Sequence, residues 1–180
     1  FQSKGMYKDG IKDGKMSWWY EDGQLKSKGN YKDGKEDGKM SRWYANGQLK
    51  SQGNYKDGNF HGKWNWWYDN GHIELDANYK FGIKDGKISW WYNNGQIALE
   101  EYFKDGIKDG KMSWWYDNGN IRSEGTYKSN RKVIEIKYTY YSNDQIMSEI
   151  NYKYDTKDGK MTLWYEDGQL KSQGNYKFGI

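Results

Sequence analysis

Tyr20, Tyr44, Tyr68, Tyr92 and Tyr116 recur every 24 residues, and Gly23, Gly47, Gly71, Gly95 and Gly119 keep the same step. A period this short marks a solenoid or array, in which one supersecondary element is copied and each copy buries its surface against the next. The spacing divides the chain into repeats near 5–28, 29–52, 53–76, 77–100, 101–124, 125–149 and 150–173, with partial repeats at both ends. No composition shift separates a second domain, so residues 1–180 read as a single array.

Each repeat holds two turn signals. One is Asp22-Gly23, Asn46-Gly47, Asn70-Gly71, Asn94-Gly95, Asn118-Gly119 and Asp167-Gly168. Asn-Gly or Asp-Gly between apolar alternations predicts a two-residue type I′ hairpin, whose central residues both need positive φ. The other is a longer Asp-Gly loop such as Asp9-Gly10-Ile11-Lys12-Asp13-Gly14. Between turns, short segments rich in Trp, Tyr, Met and Leu suit strands. The expected fold is all-β: an elongated antiparallel meander of tandem 24-residue β-hairpins in a single twisted, solenoid-like sheet. It would have about 14–15 strands and, at ~4.8 Å per strand, run near ~70 Å.

A two-residue turn at Asp22-Gly23 pairs Glu21 with Gln24, Tyr20 with Leu25, Trp18 with Ser27 and Met16 with Gly29. One face then collects Met16, Trp18, Tyr20, Leu25, Ser27, Gly29 and Tyr31 as the core, each ring packing on its counterpart in the next repeat. The Gly29 position leaves room for large rings opposite. The other face is polar apart from a ladder of Trp19, Trp43, Trp67, Trp91, Trp115 and Trp164, flanked by Lys26, Lys50, Arg122 and Lys171. The sixth repeat departs from the pattern. Its extra residue is placed in the glycine-free turn Tyr141-Ser142-Asn143-Asp144, which leaves Thr139 interrupting the ladder; aligning Tyr141 with Tyr20 would move the insertion earlier.

Composition narrows the chemistry. There is no cysteine, so disulfides, iron–sulfur clusters and thiolate zinc sites are excluded. His61 and His72 are the only histidines, and both are expected to be solvated in or beside turns. No catalytic motif is present, and Glu100 and Glu101 point to opposite faces of a strand. No catalytic residue, metal site or cofactor is therefore expected, and the chain is read as a non-enzyme. The Asp-Gly-x-x-Asp-Gly loops resemble calcium loops, but lysines such as Lys12, Lys84 and Lys108 sit inside them, which favours turn chemistry. Lysines recur at Lys8, Lys32 and Lys56, yet net charge is only +4 and aspartates follow them, so nucleic acid is a poor partner.

The stretches Gly29-Asn30-Tyr31-Lys32-Asp33-Gly34 and Trp43-Tyr44-Ala45-Asn46-Gly47-Gln48-Leu49-Lys50-Ser51 resemble MORN repeat variants, bacterial relatives of the membrane occupation and recognition nexus repeat. The resemblance covers every repeat, with the sixth degenerate. It implies sheets of repeated hairpins and a role as a protein-interaction scaffold, sometimes as a phospholipid binder. A weaker resemblance is to choline-binding repeats of cell-wall proteins, which also combine Trp-Tyr with a turn glycine. The expected function is a non-catalytic scaffold that binds protein through its aromatic face. The alternatives are a self-assembling surface or filament protein, and a module for glycan, choline or phospholipid head groups. Partial burial of the tryptophan face is the structural alternative to any binding role. A cysteine-free chain suits an extracellular or cell-surface setting. Phe1 falls in the Leu25 position and Ile180 in the Ile11 position, so both ends lie inside a repeat and the sequence is expected to be an excerpt of a longer array.

Overall fold

The computed structural model describes residues 2–180; Phe1, expected in the Leu25 position, lies outside the described residues. All regular structure among them is β. The chain forms two compact units, residues 1–95 and 96–180. Unit one holds β1 (Gln2–Lys8), β2 (Ile11–Trp19), β3 (Leu25–Lys32), β4 (Lys35–Trp43), β5 (Leu49–Lys56), β6 (Asn59–Trp67), β7 (Ile73–Lys80) and β8 (Ile83–Trp91). Unit two holds β9 (Ile97–Lys104), β10 (Ile107–Trp115), β11 (Ile121–Lys128), β12 (Arg131–Tyr140), β13 (Ile146–Lys153), β14 (Thr156–Trp164) and β15 (Leu170–Tyr176). Within each unit sheet order follows sequence order, and every strand pairs antiparallel with the next. The expected all-β meander of tandem hairpins is what forms.

The two turns exchange the roles expected of them. The type I′ geometry belongs to Lys-Asp-Gly: Asp33 and Gly34 have φ of 48° and 81°, and Lys32 pairs with Lys35 across them. The Asn-Gly turns are three-residue loops. The Gly23 amide donates to the Tyr20 carbonyl at 3.1 Å and the Tyr20 amide to the Gln24 carbonyl at 2.8 Å. Gly23 alone takes positive φ, at 85°, as a type I turn closed by a left-handed residue requires. The Asp or Asn before it serves as an acceptor: Asp22 Oδ1 receives the Gln24 amide at 3.0 Å, and Asn46, Asn70, Asn118, Asn143 and Asp167 repeat the bond.

The second aspartate of each Asp-Gly-x-x-Asp-Gly stretch also has a structural task. Asp13, Asp37 and Asp109 accept the amides of Asp33, Asp57 and Ser129 through Oδ2 at 3.3, 3.3 and 3.4 Å, bracing the turn of the next repeat. That turn also docks through its backbone, as where the Gly34 amide donates to the Lys12 carbonyl at 2.9 Å.

The three-residue loop changes the register near it. Tyr20 does not pair with Leu25; Trp19 does, and a bulge at Lys26 then restores Trp18 opposite Ser27 and Met16 opposite Gly29. Residues directly opposite share a face, so Leu25 moves from the core face to the Trp19 face. In unit one the core is the row of Met16, Met40, Trp64, Ala77 and Ile88, all at most 2% exposed, and in unit two it includes Met112 at 4%; Ser51 and Ser123 are buried beside these rows. As expected, small residues stand opposite large ones: Gly29 faces Met40 and Ala77 faces Trp64.

The sixth repeat resolves the other way from its expected alignment. The Tyr141 amide donates to the Gln145 carbonyl at 2.9 Å and Asp144 takes the left-handed place of the glycine, with φ of 63°. Tyr141 therefore matches Tyr20, and Tyr140, paired with Ile146, matches Trp19. The extra residue lies in β12, which has ten residues against nine in β10. Its turn, Ser129-Asn130, places serine at φ of 50°. Asparagine tolerates this region better than serine. Ser129→Asn is expected to stabilise unit two by about 0.5–1 kcal/mol, read as slower amide exchange in β11 and β12.

Candidate functional site

The indoles of the expected ladder, Trp19, Trp43, Trp67, Trp91, Trp115 and Trp164, are all half-buried. Strand alternation sets them on the face opposite Met16 and Trp18. Like positions are two strands apart, about 9.6 Å, so these rings do not stack on one another. The gaps are filled instead by aliphatic side chains. In unit one Trp19 lies opposite Leu25, Trp43 opposite Leu49 and Trp67 opposite Ile73. In unit two Trp115 lies opposite Ile121, Tyr140 opposite Ile146 and Trp164 opposite Leu170. Thr139 leaves no interruption, because Tyr140 carries the aromatic row through the sixth repeat. Each hairpin thus sets one ring and one aliphatic group side by side, half open to water.

A polar row and then a lysine row run alongside. Lys15, Lys28, Lys39, Ser41 and Gln52 line a cleft with Trp43, of about 370 Å³. Further along, Lys63 is paired with Asp76 at 2.8 Å.

The cations expected to flank this ladder sit elsewhere. The Lys26, Lys50 and Lys171 ammoniums lie 5.3, 5.0 and 5.4 Å from the ring centroids of Tyr20, Tyr44 and Tyr165. The Arg122 guanidinium lies 4.4 Å from the Trp114 centroid and 5.7 Å from that of Tyr116. The bulge at the Lys26 position turns these side chains toward the face that carries Trp18 and Met40. The tyrosines they cover are not core ladders either. The hydroxyls of Tyr20, Tyr44 and Tyr68 donate to the carbonyls of Trp43, Trp67 and Trp91 at 2.7, 2.8 and 2.7 Å, joining each hairpin to the next.

The Met40 face carries a second set of rings that sequence reasoning placed in the core without a binding role. Trp18 and Tyr31 are 5.7 Å apart, with the Lys12 ammonium about equally close to both, at 5.2 and 5.1 Å. Tyr55, Phe60, Trp64, Trp66 and Tyr79 form one cluster, with centroid separations from 4.4 to 6.2 Å. Lysines inside the Asp-Gly loops thus serve rings. The signal was the spacing of six from Lys12 to Trp18 and from Lys84 to Trp90; Lys108 lies over Tyr127 instead, at 5.2 Å.

Burial raises the Tyr31 phenol from 10.0 to about 12, helped by the Glu36 charge and the hydrogen bond Tyr31 donates to it at 3.2 Å. The unfolded phenol ionises first. Tyr31 therefore contributes fully below pH 10, and the contribution is lost as pH rises to about 12. Burial, with Glu124 nearby, also pushes Tyr138 up to about 12. Tyr31→Phe is expected to flatten the fall in urea midpoint between pH 9 and 11; an unchanged slope would refute the assignment.

The histidines differ from expectation at one position. His72 is exposed, with Nδ1 2.8 Å from the Asn93 carbonyl. His61 is half-buried against Phe81 at 5.0 Å, and its Nδ1 is buried without a hydrogen-bond partner among the described residues. No helix is long and apolar enough to cross a membrane, and no group of three potential metal ligands occurs among the described residues.

Compared with known families, residues 12–33, 36–57, 60–81, 84–105, 108–129, 136–154 and 157–178 match the MORN repeat variant. The sixth match begins at Ile136, past the extra residue in β12. No curated protein matches the chain.

Proposed function

The chain belongs to the MORN repeat variant family, whose modules serve protein and membrane interaction, and from that premise we propose that it is a non-catalytic scaffold whose ring-and-aliphatic row binds a protein partner. The supporting observation is the row itself. Trp19 with Leu25, Trp43 with Leu49 and Trp67 with Ile73 present apolar groups hairpin after hairpin, and none is fully covered. Contiguous apolar surface rimmed by polar residues is the composition of a contact site. Indoles supply large contact area at low entropic cost, which is why they concentrate at binding hot spots. Repeats of this family are typically non-catalytic.

The test compares wild type with Trp43→Ala and Trp67→Ala together in pull-downs from the source cell, with circular dichroism confirming the fold. Partners retained by wild type and lost by the variant support the reading. Equal retention by both overturns it.

The lysine row beside the indoles favours a second reading, an anionic head group or glycan on the same face. Flotation with anionic vesicles separates the two: vesicle binding that survives competition by the protein partner would put lipid first.

A further inference from the structure

The opposite face holds a cleft in each unit, and the two share a plan. In unit one a cleft of about 360 Å³ is lined by Trp18, Lys26, Ser27, Tyr31, Met40 and Arg42. In unit two a cleft of about 350 Å³ includes Trp114, Arg122, Ser123 and Lys137. The correspondence is set by register. Ser27 pairs with Trp18 on one side and Arg42 on the other, while Ser123 pairs with Trp114 and Lys137. Elsewhere the residue in the place of Arg42 is apolar: Trp66 opposite Ser51, Trp90 opposite Leu75, Trp114 opposite Leu99 and Leu163 opposite Ser148. A cleft of this plan is found where a cation replaces the apolar side chain.

The two clefts differ in one respect. In unit two a carboxylate is built in. Glu135, 4% exposed, holds the Lys137 ammonium at 3.5 Å and the Lys132 ammonium at 3.1 Å. In unit one, among the described residues, no carboxylate pairs with Arg42. Its guanidinium is held from behind, donating to the Tyr55 hydroxyl at 3.1 Å and lying 5.8 and 5.9 Å from the centroids of Tyr55 and Trp64. The nearby Glu36 receives the Tyr31 hydroxyl instead. Arg42 is therefore fixed in place with donors left over, beside the Trp18 and Tyr31 rings and a floor of Met40 and Ser27.

We propose that the Trp18–Arg42 cleft binds one uronate residue of an acidic polysaccharide, its carboxylate on Arg42 and its ring against Trp18. A planar guanidinium takes a carboxylate through two parallel hydrogen bonds. A flat aromatic wall suits the apolar face of a pyranose, and the volume lies in the range of small-ligand sites. Ser27 and Lys26 supply hydroxyl and ammonium groups for ring hydroxyls. An acidic peptide fits less well. It gains affinity by adding to a sheet edge, and β2, β3 and β4 are each paired with the next strand here.

The test is a titration of the whole chain with a galacturonate tetramer, followed by tryptophan fluorescence and calorimetry. Saturable binding of one tetramer per chain is expected, weakened at least tenfold when a neutral galactose tetramer is used. Arg42→Trp installs the residue found in other repeats, so it should fold, and it is expected to weaken uronate binding at least tenfold. Arg42→Gln, which leaves the cleft open, should do the same. The Trp43→Ala and Trp67→Ala variant acts on the other face and should leave this titration unchanged, so the two readings fail separately. Absence of saturable binding overturns the proposal. So does binding unaffected by either Arg42 variant, or equal affinity for polyglutamate or single-stranded oligonucleotide.

Discussion

Replacing Trp64 with alanine is expected to destabilise unit one by about 3–5 kcal/mol, the cost of emptying a large buried aromatic site. Trp64 is the largest fully buried side chain, at 0% exposure. Its ring meets Phe60 at 4.4 Å, Tyr55 at 5.0 Å and Trp66 at 5.3 Å. Its Nε1 donates to the Asn54 carbonyl at 2.7 Å, so the truncation also leaves that acceptor without its partner. Gly53 on the neighbouring strand leaves the room this indole needs: a Cβ there would run into the Trp64 ring. Stability in repeat arrays is local, so the effect belongs to the hairpins that touch the ring. Amide exchange in β5, β6 and β7 is the measurement, with β13 and β14 as the internal control. A loss under about 1 kcal/mol would mean that the cluster collapses to fill the space.

Glu135→Ala is expected to cost unit two about 2–4 kcal/mol, and Glu135→Met, which leaves the same ammoniums unpaired but keeps the space filled, clearly less. The carboxylate is 4% exposed and holds two ammoniums, so removing it alone leaves Lys132 and Lys137 without their counter-ion. Burial would lower the Lys132 pKa, but the hydrogen bond and charge of Glu135 outweigh it and leave that pKa raised. Asp155, 3.6 Å from Lys132, compensates part of the loss. Methionine removes the same counter-ion but fills the space that alanine would leave empty. Glu135 stands opposite Gly125 as Met40 stands opposite Gly29, so the backbone already suits that side chain. Urea denaturation of the two variants checks the contrast. Equal losses for both would mean that the ion pair itself, rather than the filled space, holds β12 in register.

The period, the all-β class and the pairing of Met16 with Gly29 were legible in the sequence because they depend on spacing alone. The turn types were not. Asp33-Gly34 and Asn46-Gly47 look alike as dipeptides, yet only the first needs positive φ at both residues. At the second, the Asn side chain acts as an acceptor for the Gln48 amide. The error was partly hidden because the bulge at Lys26 cancels the longer loop, so Trp18 still meets Ser27. What did not cancel was the face of Leu25 and the direction of Lys26, and with them the surroundings of Trp19. The placement of the extra residue in the Tyr141–Asp144 turn failed for a related reason: Asp144 adopts the left-handed conformation usually signalled by glycine. The Trp18–Arg42 cleft was invisible because it is a missing indole, and absence has no spacing.

The bonds that join one hairpin to the next are fixed in sequence distance. The tyrosine hydroxyl reaches 23 residues ahead, from Tyr20 to Trp43 and from Tyr141 to Trp164, and the aspartate brace reaches 20, from Asp13 to Asp33. Among the 24-residue repeats, a tandem duplication or excision of 24 codons would leave every such donor with an equivalent acceptor, wherever in the repeat the break fell. Unequal recombination can therefore lengthen or shorten this array without a misfolded intermediate, and copy number becomes the quantity most readily tuned by selection.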